Sequence, residues 1–394
     1  MQKLPQYVNE ALEILDAGGY KAYLVGGCVR DLFMGRCPKD YDIATNALPE
    51  EVQGLFSKTI PTGLAHGTVT VVIDSAQIEV TTFRKDGDYL DNRRPEQVVY
   101  VDALTEDLTR RDFTMNAMAM NRTGEIEDPF DGGGDIRRKI IRCVGDPNLR
   151  FTEDALRMFR ALRFSAQLGF QVTEDTRNAI KVQSSLATRL SAERVRDEVE
   201  KILRSESPEV LREVIEYGLL DAYLSRTSID IETFQKLEHI KGIDTRWCAF
   251  VAILLNSGAI TDPKSFLKAL RLPRRTVEEA GMAASLAQNP LPADQIALKH
   301  LLAAYGEKIV RLTAEANHCL SGCNSLDDIE QILQNGVCYQ VKDLALQGKD
   351  LLAYGIPEGS EIGEILQKLL AEVIKDPAKN TREGLLKVLE AYMH

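Results

Sequence analysis

No apolar run in this 394-residue chain approaches the roughly 20 residues that a membrane span needs, which excludes a spanning helix. The opening segment "MQKLPQYVNEALEIL" lacks a basic leader and an apolar core. It is amphipathic and acidic, so a signal peptide is not expected. Paired cysteines are missing as well. Cys28, Cys37, Cys143, Cys248, Cys319, Cys323 and Cys338 are scattered with no CxxC framework, which points to reduced thiols in a cytoplasmic protein. The cluster "HCLSGC" has no second pair to complete a metal site and reads as a helix-turn with buried thiols. Excess positive charge is absent too. The net charge of −11, taken alone, argues against nucleic-acid binding. The charge is uneven, however: "DIRRKIIRCVGDPNLRFTEDALRMFRALRF" is net basic, and an acidic total does not exclude a local basic groove. Aromatics are scarce, at 6% with one Trp, and no solenoid-period repeat or low-complexity linker is visible.

What is present is ordinary globular composition, 44% hydrophobic and 27% charged, over a length that suggests two to four packed units. The first part interleaves helices and strands. "VNEALEILDAGG" predicts a helix closed by glycines, "KAYLVGG" a strand ending in a turn, and "CVRDLFMGR" a short helix opened by that turn. "YDIAT" predicts a strand, "LPEEVQGLFS" a helix with Pro and acids in its first turn, and "GTVTVVID" with "QIEVTTFR" a hairpin across "DSAQ", followed by a strand at "VVYVDA". After "EDLTRRDFTMNAMAM" the strand signal fades. Beyond Glu153 nearly everything is helical, including "EDALRMFRALRFSAQLGF", "AERVRDEVEKILRS" and "DIETFQKLEHI".

The chemistry gathers in "YLVGGCVRDLFMGRCPKDYDIAT". Residues two apart on a strand share a face, so Asp40 and Asp42 present two carboxylates to one side while Tyr41 and Ile43 face the core. Such a pair repels unless a cation lies between, and hard oxygen ligands suit Mg²⁺. Alone, Asp-x-Asp is better explained by an exposed acidic strand end. Gly26-Gly27 alters the reading. There a strand turns into a helix, and glycine lets backbone N–H groups approach phosphate oxygens. Arg30, one turn along, adds a charge-assisted bond for a triphosphate. Glu79 is a candidate third carboxylate or a surface residue.

These residues resemble the signature of DNA-polymerase-β-like nucleotidyltransferases, and more narrowly of bacterial class II tRNA nucleotidyltransferases, the CCA-adding enzymes. "EDLTRRDFTMNAMAM", "DPFDGGGDIRRKIIRCVGDP", "EDALRMFRALRF" and "SAERVRDEVEKIL" resemble their second motif, linking motif, nucleobase-reading helix and its supporting helix. "LQGKDLLAYGIPEGSEIGEILQKLLAEV" is similar to the bacterial tail. The resemblance implies an α+β protein: an N-terminal nucleotidyltransferase head with a small mixed β-sheet, followed by an elongated all-α neck, body and tail. The expected bounds are a head at 1–125, a neck with the base-reading helix at 126–205, a body at 206–335 and a tRNA-binding tail at 336–394.

The implied roles follow residue by residue. Asp40 and Asp42 are catalytic and hold Mg²⁺. Gly26, Gly27, Arg30 and Arg111 meet phosphates, Asp112 accepts from a ribose hydroxyl, and Asn116 shares its helical face. Phe113, Met115 and Met118 belong to the core. Asp154 and Arg157, three apart, offer a carboxylate acceptor beside an Arg donor. That pattern matches the amino group and ring nitrogen common to cytosine and adenine, and mismatches guanine and uracil. Glu153, four residues before Arg157, shares the same face, and the plainer reading is a surface salt bridge. Arg160 and Arg163 extend the basic stripe. The polar stretch "FRKDGDYLDNRRPEQV" occupies the place of a flexible loop associated in this family with the final A addition, and enzymes limited to CC lack it. His66 reads as a structural residue at a strand start rather than a general base. Lys264, Lys268, Arg271, Arg274 and Arg275 are candidate phosphate contacts or a solvated helix end.

The implied activity is template-independent addition or repair of the 3′-terminal CCA of tRNA from CTP and ATP, with release of pyrophosphate. tRNA and the two nucleotides are the expected partners, no membrane is involved, and a homodimer is left open. The rival readings are an A-adding or CC-adding enzyme, a bacterial poly(A) polymerase, and a non-catalytic RNA-binding protein on the same fold. A basic Gly-Arg-Arg-Phe-type segment, which marks the poly(A) members, is not seen, and neither is a His-Asp pair for phosphohydrolase activity.

Overall fold

The computed structural model describes residues 3–86, 98–225 and 232–393. Contacts divide the chain into two compact units, 1–222 and 223–394.

The first unit is built on a seven-stranded sheet of order β3-β4-β5-β2-β1-β8-β9. Helix α1 (Gln6–Ala17) buries Val8, Ala11, Leu12 and Leu15 at helical spacing and ends at a glycine pair. β1 (Ala22–Val25) leads through Gly26 into α2 (Gly27–Phe33). β2 (Asp42–Thr45) pairs antiparallel with β1, and α3 (Pro49–Leu55) follows with Glu50 and Glu51 in its first turn. β3 (Thr59–Gly63), which the sequence did not signal, is an edge strand with mostly exposed side chains. β4 (Thr68–Ile73) and β5 (Ala76–Thr82) form the expected hairpin, turned by Asp74 and Ser75 at φ 47° and 72°. Two positive φ values in sequence are what a tight hairpin turn requires. β5 also lies parallel to β2, which makes the sheet mixed. β6 (Arg84–Asp86) and β7 (Val98–Tyr100) pair as a separate ladder, so only the stems of the polar stretch 83–98 are described; its residues 87–97 lie outside the described set.

Two helical expectations are corrected. "EDLTRRDFTMNAMAM" is not one helix: α4 (Leu104–Thr109) gives way to a 3-10 turn, Thr114–Asn116, and then to β8 (Ala119–Met120). Buried Ala119 and Met120 gain partners on β1 and on β9 (Ile126–Glu127), which completes the sheet. Past α5 (Gly132–Arg138) and the short strand β10 (Ile140–Ile141), the stretch around Glu153 is also broken. α6 (Pro147–Glu153) ends at extended Asp154, and α7 (Leu156–Leu168) starts afresh. The Asp154 carboxylate accepts the Leu156 N–H at 3.0 Å. A short acidic side chain competing for a backbone donor is a common reason for a helix to restart. Gly169 closes α7 at φ 68° as predicted. After β11 (Gln171–Val172), helices α8 (Glu174–Gln183), α9 (Ala192–Leu203) and α10 (Leu211–Glu216) finish the unit.

The described part of the second unit is helical. "DIETFQKLEHI" runs as 3-10 turns, Glu232–His239, because Phe234, Leu237 and Ile240 are buried at a strict spacing of three. α11 (Ile243–Asn256) is nearly all buried, with Trp247 and Phe250 at its centre, and packs on α12 (Pro263–Ala269), α13 (Arg274–Leu286) and a later helix, Glu307–Ser321. A separate core around Leu346, Leu351, Leu369, Val373 and Leu385 holds the C-terminal helices together. Among the described residues no helix is long and apolar enough to cross a membrane.

Candidate active site

The sheet brings the glycine turn and the carboxylates to one end. Val25 pairs with Asp42 across β1 and β2, and Asp42 pairs with Glu79 across β2 and β5. Gly26 leaves β1 at φ 75° and ψ −136°, a region costly for any residue with a side chain. A Cβ there would also stand 3.1 Å from a guanidinium nitrogen of Arg111. α2 has only seven residues, so the arginines around this turn outweigh its dipole.

Asp42 opens β2, while Asp40 lies in the bend before it; both are exposed, and Tyr41 and Ile43 are buried as alternation predicts. The Asp42 carboxyl is pushed up to about 6. The main cause is protein crowding that strips part of its hydration, then the charges of Glu79 and Asp40, with Arg111 opposing. Among the described residues no three His, Cys, Asp or Glu side chains converge as a metal cage. A pair of hard carboxylates that repel each other, open to solvent and to substrate phosphates, fits Mg²⁺, which keeps waters and rarely takes an all-protein cage.

All twelve residues that the resemblance assigns to catalysis and nucleotide binding, Gly26 through Arg163, line a single open cavity of about 660 Å³. Arg110, Leu156, Phe164 and Arg194 line it too. Seven arginines and four aspartates give this lining a net charge of +3, in a chain whose total is −11. Arg111 Nε and Arg194 Nη1 are buried donors without a partner among the described residues. A polyanion entering here finds its countercharge in place.

Asp112 is 8% exposed and fully engaged. One oxygen accepts from the Phe113 N–H at 2.8 Å and from Asn116 Nδ2 at 3.0 Å; the other accepts from Arg160 Nε at 2.7 Å. Burial alone would raise its carboxyl, but Arg160, Asn116 and Arg157 hold it down to about 2. Asn116 reaches Asp112 from the 3-10 turn rather than along an α-helical face, and its side-chain Oδ1 accepts from Arg30 at 2.9 Å. Phe113, Met115 and Met118 are fully buried in the core.

Asp154 and Arg157 share the cavity, although their side chains are held by different partners. Asp154 is paired with Arg194 of α9 at 2.8 Å. Arg157 donates to Glu153 at 2.5 Å and to the carbonyls of Arg150 and Arg110 at 3.2 and 2.9 Å. The Glu153–Arg157 ion pair is therefore present, but mostly buried rather than on a surface face. Arg163 pairs with Glu198 of α9 at 2.7 Å. No spacing rule links Arg194 to a motif forty residues earlier; only the resemblance of "SAERVRDEVEKIL" to a supporting helix pointed to its neighbourhood. Phe164 was more accessible: it lies seven residues after Arg157 and four after Arg160, on the arginine stripe and off the apolar one.

Other expectations fall outside this cavity. Glu79 is exposed beside Asp42. His66 ends a 3-10 turn before β4, and its carbonyl accepts from Arg84. Cys319 and Cys323 are half-buried free thiols rather than fully buried ones. In the second unit Lys264 is paired with Glu278 and Arg275 with Glu279, while Lys268, Arg271 and Arg274 are exposed around the α12–α13 turn.

Residues 22–142 match the family model described as the poly(A) polymerase head domain. Residues 169–228 match a probable RNA- and SrmB-binding site of polymerase A, and 240–389 a putative second domain of tRNA nucleotidyltransferases. The CCA-adding enzyme of Geobacillus kaustophilus (strain HTA426) is 41% identical over 378 residues, covering 93% of this chain and 92% of that one. That of Bacillus subtilis (strain 168) is 38% identical over 395 residues, covering 98% of each. The crystal structure of the Bacillus stearothermophilus CCA-adding enzyme in complex with CTP superposes with a TM-score of 0.83 at 33% identity, covering 100% of this chain and 99% of that one.

Proposed function

This chain belongs to the CCA-adding enzymes, and from that premise we propose that its arginine-rich cavity is a single site serving CTP and ATP in turn. The enzyme adds or repairs the 3′-terminal CCA of tRNA without a template, releasing pyrophosphate. One observation supports the site assignment above the rest: twelve residues spread from Gly26 to Arg163 line one positively charged cavity, Asp40 and Asp42 among them as exposed carboxylates.

Asp40 and Asp42 would hold Mg²⁺, which when bound activates the tRNA 3′-OH and neutralises charge on the leaving pyrophosphate. Around them the chain's own groups bind and orient. Gly26 and Gly27 expose backbone N–H groups to the phosphates, and Arg30, Arg111 and Arg163 supply countercharge. Asp112, held ionised by Arg160 and Asn116, accepts from the ribose by exchanging one of its present donors, which favours ribonucleotides. Asp154 and Arg157 face the base. Each is anchored by an independent partner, so neither swings away when the nucleotide changes. A carboxylate has room for a further donor beyond Leu156 and Arg194. Catalysis on this reading is positioning plus charge neutralisation.

The assignment extends to the rest of the chain as a head at 1–125, neck at 126–205, body at 206–335 and tail at 336–394. Body and tail contact the tRNA, with Lys268 and Arg274 as phosphate contacts. A cytoplasmic location suits the substrate, and a homodimer is the assembly to test by light scattering. Labelled CMP and AMP incorporation by Asp40→Asn and Asp42→Asn tests the site: both variants should lose both activities. Retained incorporation by either would remove the metal-binding role.

A further inference from the structure

Three cations gather on one ring. The guanidinium carbons of Arg163, Arg30 and Arg160 lie 4.0, 5.1 and 5.4 Å from the centroid of Phe164. The ring is 5% exposed, lines the cavity, and is met edge-on by Phe113 at 5.8 Å and 87°. Arg30 comes from α2 and the other two from α7. Three like charges this close repel one another. Each has its own carboxylate: Asp31 at 2.8 Å, Asp112 at 2.6 Å and Glu198 at 2.7 Å. Those carboxylates sit on three separate stretches of chain, so ion pairing alone does not fix the distances among the arginines. The negative face of Phe164 is the contact common to all three. It also closes a circuit: Arg30 donates to Asn116, Asn116 to Asp112, Arg160 to Asp112, and both arginines return to the ring.

We propose that Phe164 is a positioning residue of the nucleotide site, its ring holding Arg30, Arg160 and Arg163 at the spacing at which they receive the triphosphate and the ribose. This rests on the cavity being the nucleotide site. The ring touches no reacting atom. It acts through the arginines, and equally for CTP and ATP because it lies about two helical turns beyond Arg157 on α7, beside the groups assigned to phosphate and ribose.

The test replaces Phe164 by phenylalanines carrying one, two and three ring fluorines in the full-length enzyme. Fluorination weakens the ring quadrupole while leaving shape nearly unchanged. KM and kcat are measured for CTP and ATP at saturating tRNA, alongside Phe164→Tyr, Phe164→Leu and Asp42→Asn. KM for both nucleotides should climb stepwise to about tenfold at three fluorines, with kcat within about twofold. Phe164→Tyr should stay near wild type, and Phe164→Leu should match the trifluoro enzyme. A ring that merely fills space would leave both KM values within about twofold across the fluorine series, which overturns the proposal. If Asp42→Asn also keeps full incorporation, the nucleotide site itself has been misplaced, and the role of Phe164 falls with it.

Discussion

Replacing Arg157 by Ala should disturb cytosine and adenine selection together. The residue is 8% exposed, and its side chain makes an ion pair with Glu153 and bonds to two carbonyls. Glu153 keeps Arg150 at 2.7 Å, so the carboxylate is not stranded by the change. The two carbonyls lose a charged donor, which costs about 2–3 kcal/mol of stability. The larger effect is on the base. A donor matched to the ring nitrogen of cytosine or adenine is worth about 1–3 kcal/mol against a mismatched edge, or roughly 10–100-fold in discrimination. The assay is single-nucleotide incorporation, with kcat/KM for CTP against UTP on a transcript ending at the discriminator base, and for ATP against GTP on one ending in CC. Both ratios should fall by a similar factor, roughly 10–100-fold, with Tm measured to confirm a folded variant. If one ratio collapsed and the other held, C and A would be read by different groups, and the single-site account would be wrong.

Asp112 sets an acid limb. Its folded value near 2 lies below the usual carboxylate value, so it stabilises the fold above about pH 4 and loses that contribution as pH falls toward 2. Asp112→Asn should therefore flatten the drop in Tm between about pH 4 and 2, a loss of about 2 kcal/mol in the wild type; an unchanged acid limb would refute it. Asp42 has the opposite sign. Its raised value means that its charge costs stability as pH rises from about 4 to about 6, so Asp42→Asn without Mg²⁺ should melt no lower than wild type at pH 8. The gain is on the order of 1 kcal/mol, reduced because the carboxylate reaches solvent. Mg²⁺ should raise the Tm of the wild type and leave that of Asp42→Asn in place, and equal shifts in both would place the metal elsewhere. Gly26→Ala should raise KM for both nucleotides and lower stability by about 1–3 kcal/mol, since φ 75° strains any side chain and its Cβ presses toward Arg111. Wild-type KM values would show that the turn does not shape the phosphate site.

Local signals carried much of this architecture. The alternation around Tyr41 and Ile43, the glycine that ends α7, and the Asp74–Ser75 turn each depend on chemistry within a few residues, and each is present as expected. Long-range pairing was not legible. β8 is two residues that become strand only because β1 offers an edge, and no periodicity marks so short a run. The break at Asp154 was hidden because the apolar spacing from Leu156 continues smoothly. The same holds within the cavity. Spacing put Glu153 within reach of Arg157, and that pair is present, while the partner of Asp154, Arg194, is set by how α9 packs on α7. Glu79 gained a neighbour, Asp42, from strand register alone.

Primer extension on three tRNA transcripts, ending at the discriminator base, at C and at CC, decides what the cavity builds. Each is offered CTP, ATP or both, with Mg²⁺. A single site serving both nucleotides makes three additions to the first transcript, in the order C, C, A, and adds A alone to the transcript ending in CC. Addition of A to the CC end without any addition of C to the other two would contradict it. The cavity would then be an A-adding site, and the shared reading of cytosine and adenine by Asp154 and Arg157 would have to be abandoned.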